Sequence, residues 1–106
     1  MKFGLLIETN EPEKAWNGVR FANASLKAGH EVRIFLMSAG VEIESITHET
    51  FNVPAQLHEF AQLGGTVGCC GTCKRARDLP STEICPISSM GDLVAMMEWA
   101  DKTLTF

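Results

Sequence analysis

No apolar run in the 106-residue sequence approaches the roughly 18 residues that a membrane-spanning helix needs. The start, Met1 to Ile7 followed by Glu8, lacks the long apolar stretch and small-residue cleavage site of a secretory signal. Basic residues are scarce as well. Lys and Arg number 9 against 13 Asp and Glu, and the net charge of −4 gives no electrostatic basis for binding nucleic acid or an anionic membrane. Phosphate-cradling loops are missing, because Gly64-Gly65 has neither the G-x-G-x-x-G nor the G-x-x-x-x-G-K spacing, and Ser38 has no Ser-His-Asp context. Internal repeats, linkers and low-complexity segments are also lacking. A cytoplasmic protein without a nucleotide cofactor is expected, and no other cofactor is implied.

What is present suits one folded domain over residues 1–106, with 45% hydrophobic and 21% charged residues. Lys2 to Ile7 reads as a buried strand, followed by a polar loop in which Asn10 or Glu11 caps a helix with Pro12 at its first position. Trp16, Val19, Ala22 and Leu26 form the apolar stripe of that helix, and Gly29 stops it. Glu31 to Met37 is a second strand, Val41 to Ile46 a helical turn, and the segment after Pro54 a helix with Leu57, Phe60 and Ala61 facing inward. A short strand at Thr66 to Cys69 leads to a helix or turn over Gly71 to Asp78, then a strand at Glu83 to Ile87. Ser88 or Ser89 caps a last helix, whose Met90, Leu93, Val94, Met97 and Ala100 are expected to face the core, and Thr103 to Phe106 is a terminal strand. This β-α-β-α-β-α-β-α-β order predicts a three-layer α/β/α sandwich around a mainly parallel five-stranded sheet, because right-handed crossovers lay helices on the sheet. In such sheets chemistry gathers outside the carboxyl ends of the strands, here Glu8 to Pro12, Ser38 to Gly40 and Cys69 to Cys73.

Three of the four cysteines, Cys69, Cys70 and Cys73, fall within five consecutive positions, and Cys85 stands apart. Adjacent cysteines are poor staples between distant segments, so the cluster points to thiol chemistry or metal binding. Lys74, Arg75 and Arg77 follow at once and concentrate positive charge where a helix would begin. Cations and a helix N-terminus both favour the thiolate, the reactive form of cysteine. Such a thiolate can carry sulfur as a persulfide or cycle with its neighbour through a disulfide. Two other readings stand beside this one: a metal held by the four sulfurs, although C-C-x-x-C plus one distant cysteine is not zinc-ribbon spacing, and a purely structural role. A thiol-disulfide oxidoreductase is a further alternative, without a thioredoxin motif context. Cys85 reads as structural and Cys69 is ambiguous. His30, His48 and His58 are isolated and read as surface or packing residues, and Met90, Met96 and Met97 as core or subunit interface.

Asn17, the run Phe35-Leu-Met-Ser-Ala-Gly-Val41, Cys70-Gly-Thr-Cys73 with Arg77, and the ending Trp99-Ala-Asp-Lys-Thr-Leu-Thr-Phe106 together resemble the DsrE/DsrF-like family, most of all its YchN branch. The resemblance spans essentially the whole chain. It implies a DsrEF-like fold of the flavodoxin/Rossmann kind and assembly into homo-trimers or homo-hexamers. It also implies a loop cysteine that receives persulfide sulfur from a donor protein and passes it to an acceptor. Cys70 matches the relay cysteine, Cys73 completes the pair of the YchN branch, and Asn17 and Ser38 are implied to flank the same pocket. Lys74, Arg75 and Arg77 would stabilise the bound anion, and no metal is assigned. The chain departs from the family where Arg77-Asp78-Leu79 replaces Arg-Gly-Ile, and Cys69 adds a third thiol.

Overall fold

The computed structural model describes residues 1–106 and contains five strands and four α-helices. Strand β1 (Lys2–Ile7) is followed by α1 (Pro12–Lys27), β2 (Glu31–Leu36), a 3₁₀ segment (Ser38–Ser45) and α2 (Val53–Gln62). Then come β3 (Thr66–Cys70), α3 (Gly71–Ala76), β4 (Ile87–Ser88), α4 (Met90–Trp99) and β5 (Lys102–Thr105). The sheet order is β4-β3-β2-β1-β5, and every pairing is parallel. No helix is long and apolar enough to cross a membrane.

Local chemistry accounts for the helix ends. The Glu11 carboxylate accepts from the Glu13 and Lys14 N–H groups, with Pro12 filling the first turn, and these bonds hold its carboxyl below the usual carboxylate range. Asn52 caps α2 through the Ala55 N–H. Ser89 and Asp92 form a reciprocal capping box on α4, which likewise lowers the Asp92 carboxyl. Gly29 takes φ 94° just past the end of α1, a conformation that costs glycine little.

Three successive crossovers step the same way across the sheet, so α1, α2 and the 3₁₀ segment cover one face; the connection from β4 to β5 runs back over the sheet and puts α4 on the other. On the first face Leu5, Ile7, Ile34 and Leu36 meet Val19, Val53, Leu57 and Phe60, all fully buried or nearly so. The second face is thinner. A side chain at Gly4 would meet Ala100 at 3.2 Å and Met96 at 3.3 Å, so glycine is what lets α4 approach β1.

The sequence expectations need three corrections. The fourth strand is only Ile87–Ser88, because Glu83 to Pro86 is irregular and Pro86 lacks the N–H that a ladder requires. The helix after the cysteines ends at Ala76, not Asp78, as Asp78 adopts φ 53°. That left-handed conformation is one glycine takes freely, so Asp78 reproduces the turn of the family's Arg-Gly-Ile with a residue type that tolerates it. Finally, the buried stripe of α4 is Leu93, Met96 and Met97 with Ala100, whereas Met90 and Val94 are 53% and 57% exposed. The helix is apolar nearly all round, so apolarity alone did not reveal which side faces inward.

Candidate functional site

The site forms where β1, β2 and β3 end side by side. Side chains alternate along a strand, so the adjacent Cys69 and Cys70 point to opposite faces of the sheet. Cys69 pairs in register with Leu36 on the α1/α2 face. Cys70 turns to the other face, where it lines an open cleft of about 730 Å³ with Thr72, Cys73, Arg75, Ser88 and Met90. Cys70 also occupies the position before the first turn of α3, and its thiol is 6% exposed.

Cys73 lies one turn further on and is half-buried. The Cys70 and Cys73 thiols hydrogen-bond each other. The Cys73 sulfur also accepts the backbone N–H of Ser38 at 3.2 Å. Desolvation is the main influence raising the ionisation of the Cys73 thiol, and the neighbouring Cys70 adds to it, while the Ser38 N–H and the Arg77 charge pull it down. Within this pair, Cys73 is therefore held as the protonated partner.

Ser38 presents its N–H from a strained conformation. Its φ is 53°, and its hydroxyl is tied to Glu8 Oε1 at 3.3 Å. Gly40 completes the turn against the end of β1, where any side chain would collide with the Ile7 carbonyl. Glu8 was not singled out by sequence reasoning, although its place at a strand's carboxyl end was a signal for it.

The cations separate. Arg75 stays at the cleft, exposed, with Nη2 3.4 Å from the Thr72 hydroxyl. Arg77 donates to the Cys73 carbonyl at 3.3 Å and pairs with Glu42 at 2.8 Å, so part of its charge is offset. Lys74 turns away from the Cys70 and Cys73 thiols. It is 2% exposed, and its ammonium bonds the Pro80 and Cys85 carbonyls at 2.8 and 3.0 Å. One turn of helix separates residues three or four apart, which is why Lys74, adjacent to Cys73, faces elsewhere. Asn17 is exposed on α1, where its side-chain oxygen accepts from Arg20 at 3.4 Å, and it makes no hydrogen bond to either thiol. No three His, Cys, Asp or Glu side chains converge to hold a metal ion, since the sheet itself divides the four sulfurs.

The DsrE/DsrF-like family model matches residues 1–106. The chain belongs to the DsrE/DsrF-like family. It is 34% identical over 115 residues to an uncharacterised protein of Methanocaldococcus jannaschii, with all of both chains covered. It is also 32% identical over 100 residues to an uncharacterised protein of Methanopyrus kandleri, with 89% of this chain and 83% of the relative covered. Two solved structures share the fold. One, a conserved protein of unknown function from Bacteroides thetaiotaomicron, has a TM-score of 0.78 at 21% identity, covering 99% of this chain and 94% of that one. The other, a protein of unknown function from Methanobacterium thermoautotrophicum, has a TM-score of 0.76 at 13% identity, covering 99% and 98%. The expected α/β fold with a five-stranded parallel sheet is therefore a property of this DsrE/DsrF-like chain and of its structural neighbours.

Proposed function

We propose that this DsrE/DsrF-like protein is a cytoplasmic sulfur-relay protein, a persulfide carrier with sulfurtransferase-like chemistry centred on Cys70 and Cys73. The observation that carries the reading is the hydrogen-bonded pair of thiols at the end of β3, one lining an open cleft beside Arg75 and the other receiving the Ser38 N–H. The Cys70 thiolate attacks the outer sulfur of a donor persulfide, a new S–S bond forms, and the donor cysteine leaves as its thiolate. Arg75 is placed to attract the anionic persulfide, and Arg77 acts on the Cys73 side. An acceptor thiolate then takes the outer sulfur from Cys70. In the absence of an acceptor, Cys73 attacks the Cys70 sulfur, a Cys70–Cys73 disulfide forms, and the outer sulfur departs as hydrosulfide.

Donor and acceptor proteins and a homo-trimer or homo-hexamer belong to this reading. Exposed Ile87, Met90 and Val94 beside the cleft support an assembled state, because a small protein gains by covering such residues. Incubation with a low-molecular-weight persulfide, followed by intact mass measurement, tests the chemistry. The wild type gains one sulfur atom and Cys70→Ser gains none. Equal uptake by Cys70→Ser overturns the assignment of Cys70, and no uptake by the wild type overturns the relay.

A further inference from the structure

Cys69 and Cys85 take no part in the proposed relay, yet they too are brought together. Both are fully buried on the α1/α2 side of β3, and their thiols hydrogen-bond each other. The backbone builds this contact: the Cys69 N–H donates to the Pro86 carbonyl at 3.0 Å, immediately beyond Cys85. The Cys85 N–H donates to the Thr82 hydroxyl at 3.0 Å, and that hydroxyl donates to Glu44 at 2.8 Å. The Cys85 carbonyl accepts from the buried Lys74 ammonium.

Lys74 gives the pair its electrostatic character. Its ammonium hydrogen-bonds only to carbonyls, and a buried cation is stabilised by nearby negative charge. Cys69 supplies such a group. The Cys85 hydrogen bond, followed by the Lys74 charge, brings the Cys69 thiol below its ordinary ionisation range, against burial and Glu44. Cys85 is pushed far the other way, first by the same bond and then by burial, and stays protonated. The arrangement pairs a thiolate with a proton-bearing thiol in contact with it.

We propose that Cys69 and Cys85 form a second, buried redox site that reacts with hydroperoxides and closes to a disulfide. The Cys69 thiolate attacks one peroxide oxygen, the O–O bond breaks, and hydroxide or alkoxide leaves a sulfenic acid on Cys69. The Cys85 sulfur then attacks the sulfenic sulfur, an S–S bond forms, and the hydroxyl departs with the Cys85 proton as water. The two thiols lose two electrons and the peroxide gains them. The segment closed by this bond, residues 69–85, contains α3, Cys70, Cys73, Arg75 and Arg77, so oxidation of the inner pair staples the outer site to the sheet.

The Cys70→Ser/Cys73→Ser double variant treated with hydrogen peroxide tests the site without the relay thiols, so its outcome is separate from that of the persulfide experiment. After denaturation in an alkylating reagent, the mass is expected to fall by two hydrogens relative to the unalkylated reduced chain, with peptides of Cys69 and Cys85 cross-linked. Thermal unfolding rises by about 10 °C and returns on addition of dithiothreitol. In the same background Cys85→Ala leaves a sulfenic acid on Cys69 that dimedone traps. Recovery of both thiols as alkylated cysteine, or sulfinic acid without a cross-link, overturns the proposal. An unmodified Cys69 in the Cys85→Ala variant overturns its role as the peroxide-reactive thiol. If the double variant does not fold, peptide mapping of the peroxide-treated wild type gives the same decision, because a Cys69–Cys85 cross-link is distinct from a Cys70–Cys73 one.

Discussion

On one face of the sheet, α1, α2 and the 3₁₀ segment seal Leu5, Ile7, Ile34, Leu36, Leu57 and Phe60 from solvent; on the other, the ten residues of α4 cover the strands with Met96 alone fully committed to the core. The cysteines follow the same division. Cys69 and Cys85 sit inside the sealed face, and Cys70 and Cys73 open toward a cleft on the thin one. Stability is thus concentrated on one side of β3 and access on the other, with neighbouring residues of a single strand serving each. A rigid packed face can hold strand ends and a strained turn in place while the opposite face stays available to other molecules.

The largest test of this contrast removes core volume from each face in turn. Phe60→Ala empties a fully buried site against which Gly65 has no room for a side chain, and is expected to cost about 3–5 kcal/mol. Val94→Ala on the outer side of α4 is expected to cost about 0.5 kcal/mol or less in the protomer. Urea unfolding of the two variants checks this, and equal losses would break the comparison.

Reactivity sharpens it next. Because the Cys73 thiol ionises above its ordinary range, it is protonated at neutral pH, and its alkylation rate keeps climbing with pH after a free cysteine has levelled off. Cys70→Ser removes the thiol whose hydrogen bond and charge both hold Cys73 up, so its ionisation falls. Alkylation of Cys73 near pH 7 then quickens by about tenfold for each unit of that fall. Under the same native conditions Cys69 and Cys85 resist bulky alkylating reagents, because neither exposes any surface. Mass spectrometry of alkylated peptides against pH reads both effects, and an unchanged Cys73 profile in the variant would contradict the coupling.

The smallest effect concerns how the thin face is kept. Burial holds α4 weakly, so its capping box carries a larger share, and Ser89→Ala is expected to cost about 1 kcal/mol. Hydrogen exchange should show the loss as faster exchange in α4, with α1 and α2 unchanged.

Much of this was legible in the chain. Glu11-Pro12, Asn52 and Ser89-x-x-Asp92 mark helix starts through side chains that bond their own neighbours, and such local signals survive without tertiary context. The carboxyl-end rule placed Ser38 and the cysteines together. Asn17 and Lys74 show where that reading stopped: their residue types suited an anion site, but helix geometry sends one to solvent beside Arg20 and the other into the interior toward Pro80 and Cys85. The outward turn of Met90 and Val94 escaped notice for a related reason, since an almost wholly apolar helix carries no internal marker of its buried side.

The sequence by itself determined the alternation of strands and helices, the parallel sheet and the clustering of thiols beside cations, because each depends on short-range periodicity or on residues close along the chain. Tertiary structure alone decided how the four cysteines pair. Strand alternation separates Cys69 from its neighbour Cys70, the return of the chain at Pro86 brings Cys85 to Cys69, and the Ser38 turn at the end of β2 supplies the N–H that reaches Cys73. Those partners lie 16 and 35 residues apart in sequence, so only the folded sheet could bring them together.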